Sequence, residues 1–356
     1  MGSLRKMFYC NPHILSTFKE SRDNFKEEII LKVYTEKLCL RSNKRGLILK
    51  LIREYLPFFQ ITSHGKNKVF KLEIICGIKK IKHDFEKRKI SNPWDYRYRA
   101  KAKNSFCFKG DNVFYFQQGI GFGSWNSKGG RLLLIKNKPA LNGDLKYFFY
   151  TFLFDWLSRN GYFPLHGCSV ALGDKGILIL GQAAAGKSTL AIHLLRKNFN
   201  CLGDNTIFLK KEQNKFYLSP FLKYISLTAS QARKYPECLR LMLRKRVYRR
   251  KPDKLSFRIS DFDQGFDSRK AQLNLILFPN LRNPAGILTR KSAQSVVEKE
   301  LRSSAQEMIL GISNRGKSLQ IKNLARNCAK TIPAYHIYTR HNLDLINQKI
   351  RNLLVE

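Results

Sequence analysis

Apolar residues change their spacing several times along this chain, and each change marks an element. Leu38 to Leu40 is a short apolar run, Leu47, Leu49, Leu51, Ile52, Tyr55 and Leu56 recur at helical spacing, and Val69 to Ile75 reads as extended. Together they predict a small strand, helix, strand unit. Residues 1 to about 30 show no period from which an element can be read. Asn112 to Phe116 and Leu132 to Ile135 read as strands around a glycine-rich connection, Gly119 to Gly130, taken as a β turn. No helix pattern follows Gly119, Gly121 and Gly123, so a dinucleotide-binding loop is not expected there. Asp144 is placed to cap a helix running to about Ser158, with Gly161 at its end and Phe148, Phe152, Leu153 and Trp156 on its buried face.

The pattern then becomes an alternation. Strands are predicted at Ser169 to Leu172 and Gly176 to Leu180, a helix at Lys187 to Lys197, and a strand at Cys201 to Leu202. Further strands follow at Thr206 to Lys210, Phe216 to Ser219, Leu255 to Ile259, Leu273 to Phe278, Ile287 to Thr289 and Ala334 to Thr339, with one helix beginning at Ser292. Leu343, Ile346, Ile350 and Leu353 give a terminal amphipathic helix capped by Asn342. Such alternation predicts an α/β domain over 141–356, preceded by a smaller mixed α+β region over 1–140. A length of 356 residues suits two domains better than one core.

Composition changes the picture in one respect. The chain carries 66 Lys and Arg against 26 Asp and Glu, a formal +40, so a polyanion is a natural partner for its surface. The charge is spread along the chain, which equally fits solvated faces and non-specific polyanion contact. Lys79 to Lys103 is strongly basic with Phe85, Trp94, Tyr96 and Tyr98 interleaved, a composition shared by phosphate-gripping, base-stacking surfaces and by long connections docked through their aromatics. Arg244, Arg246, Arg249, Arg250 and Lys251 fall between predicted core strands and are expected on a loop. The eight cysteines have neither C-x-x-C nor zinc-site spacing and read as reduced thiols. No apolar core follows the basic start, Lys6 stands where a myristoylation pattern has Ser or Thr, and the run Tyr147 to Phe154 is far shorter than the roughly 20 residues of a membrane span. The expectation is a cytoplasmic protein without a membrane segment; a homo-oligomer is compatible with the sequence.

The most specific chemistry lies at Gly181-Gln182-Ala183-Ala184-Ala185-Gly186-Lys187-Ser188, a full G-x-x-x-x-G-K-[ST] pattern between an apolar strand and a helix that continues through Thr189. Glycine at both ends lets successive N–H groups turn inward, and the helix N-terminus adds partial positive charge at the anion. Lys187 is expected on the β and γ phosphates of ATP and the Ser188 hydroxyl on Mg²⁺. Asp204, after the apolar Cys201-Leu202 run, is a carboxylate at a strand tip that can hold Mg²⁺ or take a proton from an incoming hydroxyl. His166, in Pro164-Leu165-His166-Gly167, is a candidate for the same pocket.

These pieces, in this order, resemble the catalytic domain of the bacterial HPr kinase/phosphorylase family, a P-loop fold also similar to that of ATP-dependent phosphoenolpyruvate carboxykinase. His166 stands 21 residues before Lys187 and Asp204 stands 17 after, with Lys197-Asn198-Phe199 as the turn between. Ser219-Pro220-Phe221 and Tyr224-Ile225-Ser226-Leu227 look like the family's next segment. The resemblance covers 160 to 230 closely and 270 to 356 loosely. It implies a kinase in which Asp204 is the base toward a substrate serine, His166 assists, and Lys187 and Ser188 hold MgATP. The family has paired acids where this chain has Asp204-Asn205, and an acid after the P-loop serine where this chain has Thr189. Its downstream Arg-Gly motif has no copy in the closely matching stretch that runs to 230. The resemblance therefore implies transfer to a Ser or Thr of a protein or peptide, and these departures keep it from carrying over phosphorylase activity or the HPr substrate. Two further readings stay open on the residues alone: a nucleotide-dependent nucleic-acid-binding protein or NTPase, and a P-loop protein that binds ATP without turnover.

Overall fold

A computed structural model describes residues 25–52, 59–62, 69–76, 104–109, 111–117, 120–134, 144–221, 224–244, 248–251, 254–262, 269–280, 288–308, 315–338 and 343–355. The basic-aromatic segment 79–103 and the cap residue Asn342 lie outside them. The chain is mixed α/β with several sheets and falls into two compact units, 1–160 with 309–314, and 161–308 with 315–356.

Among the described residues the first unit is built on eight strands: β1 (Glu27–Val33), β2 (Glu36–Ser42), β3 (Phe59–Thr62), β4 (Phe70–Cys76), β5 (Asn104–Lys109), β6 (Asn112–Gln117), β7 (Gly121–Trp125) and β8 (Gly129–Leu134). Their order is β3-β1-β2-β4-β8-β7-β6-β5, with β2, β4 and β8 mutually parallel and the other pairs antiparallel. Helix α1 (Leu47–Ile52) follows β2, and helix α2 (Asp144–Arg159) closes the unit. Within the glycine-rich run Gly121 to Trp125 is strand β7 and Gly129 and Gly130 open β8, so the turn is confined to Asn126 to Lys128; Gly119 lies outside the described residues. A Cβ on Gly121 would lie 2.0 Å from the Leu133 carbonyl oxygen, so glycine here serves close strand approach.

Helix α2 belongs with this unit, which moves the boundary some twenty residues beyond the one read from sequence near 140. Its aromatic stripe explains why. Phe152 packs its ring 5.6 Å from Phe70 and edge-on at 5.7 Å to Trp125, and Phe148 lies 4.9 Å from Tyr115. The fully buried Asp155 accepts from Trp125 Nε1 and from Arg159 Nε, both at 2.7 Å, so its charge is paired where water cannot reach it.

The second unit carries strands β9 (Tyr162–Leu165), β10 (Cys168–Leu172), β11 (Lys175–Ile179), β12 (Asn200–Asp204), β13 (Ile207–Glu212) and β14 (Lys215–Ser219). Then come β15 (Tyr224–Thr228), β16 (Tyr248–Lys251), β17 (Lys254–Arg258), β18 (Ala271–Asn280), β19 (Leu288–Lys291) and β20 (Ala334–Tyr338). Nine of them form one sheet, β12-β10-β11-β18-β14-β13-β9, with β20 beside the far end of β18 and β19 beside β20. The pairs β11–β18 and β18–β20 are parallel. Pro164 sits in β9, an edge strand, where a missing N–H is tolerated. A separate sheet runs β15-β17-β16. Arg249, Arg250 and Lys251 are therefore in strand β16, not on a loop as their position between predicted strands suggested, while Arg246 lies outside the described residues.

Among the described residues six helices complete the unit: α3 (Lys187–Leu195), α4 (Ala229–Ala232), α5 (Pro236–Leu243), α6 (Gln294–Met308), α7 (Arg315–Thr331) and α8 (Leu343–Val355). The single helix expected after Ser292 is two. Leu190 and Leu194 of α3, Ile177 and Ile179 of β11, Ile225 and Phe257 of the small sheet, and Ile346 and Ile350 of α8 share one buried core. Helix α8 is clipped to the start of β11 and to the turn after α3, through Lys175 Nζ to the Leu354 carbonyl and Arg351 Nη2 to the Lys197 carbonyl, each at 2.6 Å.

Candidate functional site

The chain turns from β11 into α3 through eight residues whose backbone is set by glycine. Gly181 has φ 136° and Gly186 φ 102°, both costly for a residue with a Cβ, and Ala184 adopts φ 65° between them. Gly186 is the N-cap of α3 and lacks a capping side chain, so the orphan N–H groups of the first turn are left facing the loop. Leu190, Ala191, Leu194 and Leu195 bury the opposite face of α3 and fix the direction of that N-terminus. Lys187 curls back, its Nζ donating to the carbonyls of Gly181 at 2.7 Å and Gln182 at 3.0 Å.

Ser188 points the other way. Its hydroxyl donates to Asp204 Oδ1 at 2.9 Å. Asp204 is the last residue of β12, 2% exposed, and pairs in register with Cys168 of β10. The Cys168 thiol also donates to Oδ1 and lies 3.8 Å from Ser188 Oγ. Oδ2 accepts from Asn205 Nδ2 at 3.0 Å and from the Ser226 N–H of β15 at 2.8 Å. Four donors on one carboxylate compensate its burial as an anion. The same burial, and then the Asp204 charge, push the Cys168 thiol well above its ordinary value; Cys201 is raised for the same two reasons. Asn205 has φ 69°, a conformation that Asn tolerates better than most residues, and this turns its amide onto Asp204.

His166 lies in the turn between β9 and β10. Its N–H donates to the Ser304 carbonyl at 3.2 Å and its carbonyl accepts from Ser304 Oγ at 3.0 Å, so α6 holds this turn. A Cβ on the following Gly167 would lie 2.8 Å from the Ile179 carbonyl, which places the His-Gly turn against the strand leading into the loop. The structure thus joins Ser188 and Asp204 directly and brings the His166 turn against the base of the loop. Thr189 accepts, through its carbonyl, from the Tyr235 hydroxyl at 3.5 Å. Cys168 and Ser226 went unnoticed as site residues in the sequence; the partial signal was that each lies within a segment flanking a motif.

The residues fit a triphosphate with Mg²⁺. The loop offers a glycine-shaped concavity at a helix N-terminus and one ammonium, and Ser188 Oγ with Asp204 Oδ1 gives two hard oxygens in contact. Among the described residues no group of three or more His, Cys, Asp or Glu could hold a metal, so a cation here would take its remaining ligands from phosphate and water. Among the described residues, too, no helix is long and apolar enough to cross a membrane.

No family model and no curated protein matches the chain. Among solved structures, the HPr(Ser) kinase/phosphatase from Coxiella burnetii is similar over 53% of this chain and 94% of that one, at 20% identity and a TM-score of 0.30, a likeness on which nothing further is built.

Proposed function

We propose that the second unit is an HPr-kinase-like P-loop kinase that transfers the γ-phosphate of ATP to a Ser or Thr hydroxyl of a protein or peptide. The observation that carries this reading is the hydrogen bond from the P-loop Ser188 to the buried strand-end carboxylate Asp204. A P-loop alone would serve any nucleotide-binding role. A carboxylate within one bond of its metal-binding hydroxyl adds what phosphoryl transfer requires.

In this reading Lys187 leaves the two loop carbonyls for the β and γ oxygens and neutralises charge on the leaving diphosphate. Ser188 and Asp204 would hold Mg²⁺, which when bound supplies charge neutralisation and orients the phosphates. Ser188 Oγ occupies one lone pair of Asp204 Oδ1; were it to turn away, that lone pair would be free for the cation or, where Asp204 acts as base instead, for a proton. The acceptor hydroxyl gives its proton to that lone pair, its oxygen bonds to the γ-phosphorus, and the bond from the γ-phosphorus to the bridging oxygen breaks to release ADP. Asn205 keeps Oδ2 oriented and adds no second anion.

Asp204→Asn is the test. As base, Asp204 accounts for roughly two to four orders of magnitude in the transfer step, with ATP affinity nearly intact. As metal ligand alone, its loss weakens ATP binding and its Mg²⁺ dependence together. Phosphoryl transfer at the parental rate would refute the kinase reading, and phosphate released at equal rates with and without an acceptor would make the protein a hydrolase.

A further inference from the structure

The phosphate site is attached on two sides to one strongly basic stretch. The Ser226 N–H that orients Asp204 belongs to β15, whose Ser226 hydroxyl also bonds Ser256 of β17 at 3.0 Å. On the other side, Glu237 in the first turn of α5 pairs with Arg196 at the end of α3, 2.8 Å away. Between these two anchors runs the segment 240–258, with nine Lys or Arg and a single acidic residue, Asp253. Nearly every second residue is cationic there, against 66 in 356 for the whole chain, so a uniform coding bias does not account for it.

Its inner positions are ordinary core. Cys238 and Leu241 of α5 and Leu255 and Phe257 of β17 are buried together. Its outer positions are not. Arg244 and Arg258 are exposed, Lys254 is half-buried, and among the described residues neither Arg244 nor Lys254 makes a salt bridge. Leu243 is 84% exposed, more than any other large apolar side chain among the described residues, and Leu239, one helical turn before it, is 39% exposed. Two leucines at i, i+4 spacing form a continuous apolar spot beside the cations. A nucleic-acid backbone has nothing to place on it; an acidic peptide with apolar side chains has both halves of the complement.

We infer that α5 and β17 form the docking surface for the molecule bearing the acceptor hydroxyl, and that the docked segment is an acidic peptide carrying apolar side chains. This rests on the kinase reading above. The surface is hooked to the P-loop helix through Glu237 and to Asp204 through Ser226, so a segment held there is tethered beside the phosphate it receives.

The experiment uses the full chain and three fluorescein-labelled probes: the peptide Asp-Glu-Leu-Ser-Leu-Glu-Asp, the same peptide with Lys replacing every acid, and a single-stranded oligonucleotide of equal negative charge. Anisotropy should show the acidic peptide binding at least about tenfold tighter than its lysine counterpart, since like charges oppose the latter. Leu243→Asp and Arg244→Glu, both at exposed positions, should each weaken the acidic peptide by about tenfold while leaving ATP affinity unchanged. Lys254→Glu is a second route to the same loss should either variant unfold. No preference for the acidic peptide, or no response to any of the three variants, overturns the inference. Tighter binding of the oligonucleotide, indifferent to Leu243→Asp, overturns it in favour of a polyanion surface. Peptide binding that is lost in the variants, yet never leads to phosphorylation with MgATP, leaves the docking surface standing and removes the kinase reading.

Discussion

The phosphate loop and the Asp204 pocket touch at Ser188, yet they are made in opposite ways. The loop is eight consecutive residues whose function lies in backbone geometry, with Gly181 and Gly186 at positive φ and a helix N-terminus behind them. The pocket is assembled from side chains and one N–H contributed by β10, α3, β12, the residue after β12, and β15. A site made of backbone tolerates changes of side chain at its middle positions and fails at its glycines and its lysine. A site made of side chains meeting across strands should fail by degrees, one donor at a time.

Substitutions can break or sharpen that contrast, beginning with the largest effect. Lys187→Ala removes the only ammonium that the structure places in the loop, and triphosphate affinity should fall by about 2 to 5 kcal/mol, as for truncating one partner of a buried charged pair. Because Nζ meets only loop carbonyls, the melting temperature should hardly move; isothermal titration with ATP and a thermal melt measure the two together. Undiminished affinity would mean the loop is not the nucleotide site. Ser188→Ala should cost about 1 to 3 kcal/mol, expressed as a raised Mg²⁺ requirement, and Ser188→Thr should restore it because the hydroxyl is what matters. Equal behaviour of the alanine and threonine variants would show that the Asp204 bond is irrelevant to metal binding.

The cysteines give a pH test of the pocket. Burial raises Cys76 to about 11 and Cys238 and Cys328 to about 12, and it raises Cys168 and Cys201 as well. Their unfolded values lie near 9.0, so the stability gained by keeping them protonated is complete below pH 9 and declines as the pH climbs from there toward 12. Native protein at pH 8 should accordingly resist iodoacetamide at Cys168, and peptide mapping should find it alkylated only after denaturation. Rapid native labelling would show the pocket open to solvent. The smallest effect belongs to Ala184, where Gly relieves a left-handed backbone; Ala184→Gly should change stability by no more than about 1 kcal/mol and leave ATP affinity intact.

The same contrast explains what could be read from the residues in advance. The loop was legible because its whole geometry is encoded within eight neighbours, and Asp204 was legible as the polar end of an apolar run. Cys168 and Ser226 were not, since they reach Asp204 from 36 and 22 residues away and nothing in their local pattern announces the meeting. Elements decided by short-range periodicity, such as α2 and α8, emerged close to their expected limits. Strand β16 was hidden because Arg249, Arg250 and Lys251 carry no apolar alternation; it is an edge strand of a small sheet and owes its form to pairing with β17. The unit boundary was misplaced for a related reason: the aromatic stripe of α2 was visible, but not the sheet against which it would lie.

On the proposed kinase reading, the posture of Lys187 changes what nucleotide binding would mean for the free protein. With its ammonium seated on the Gly181 and Gln182 carbonyls, the loop keeps a counterion of its own making. An arriving triphosphate does not recruit a solvated lysine; it competes for one already lodged against two dipoles. Binding is then an exchange of ligands around a single cation, whose affinity is the difference between two occupied states. In the proposed kinase, the group that would hold the phosphate is the one already seated on the loop's own carbonyls.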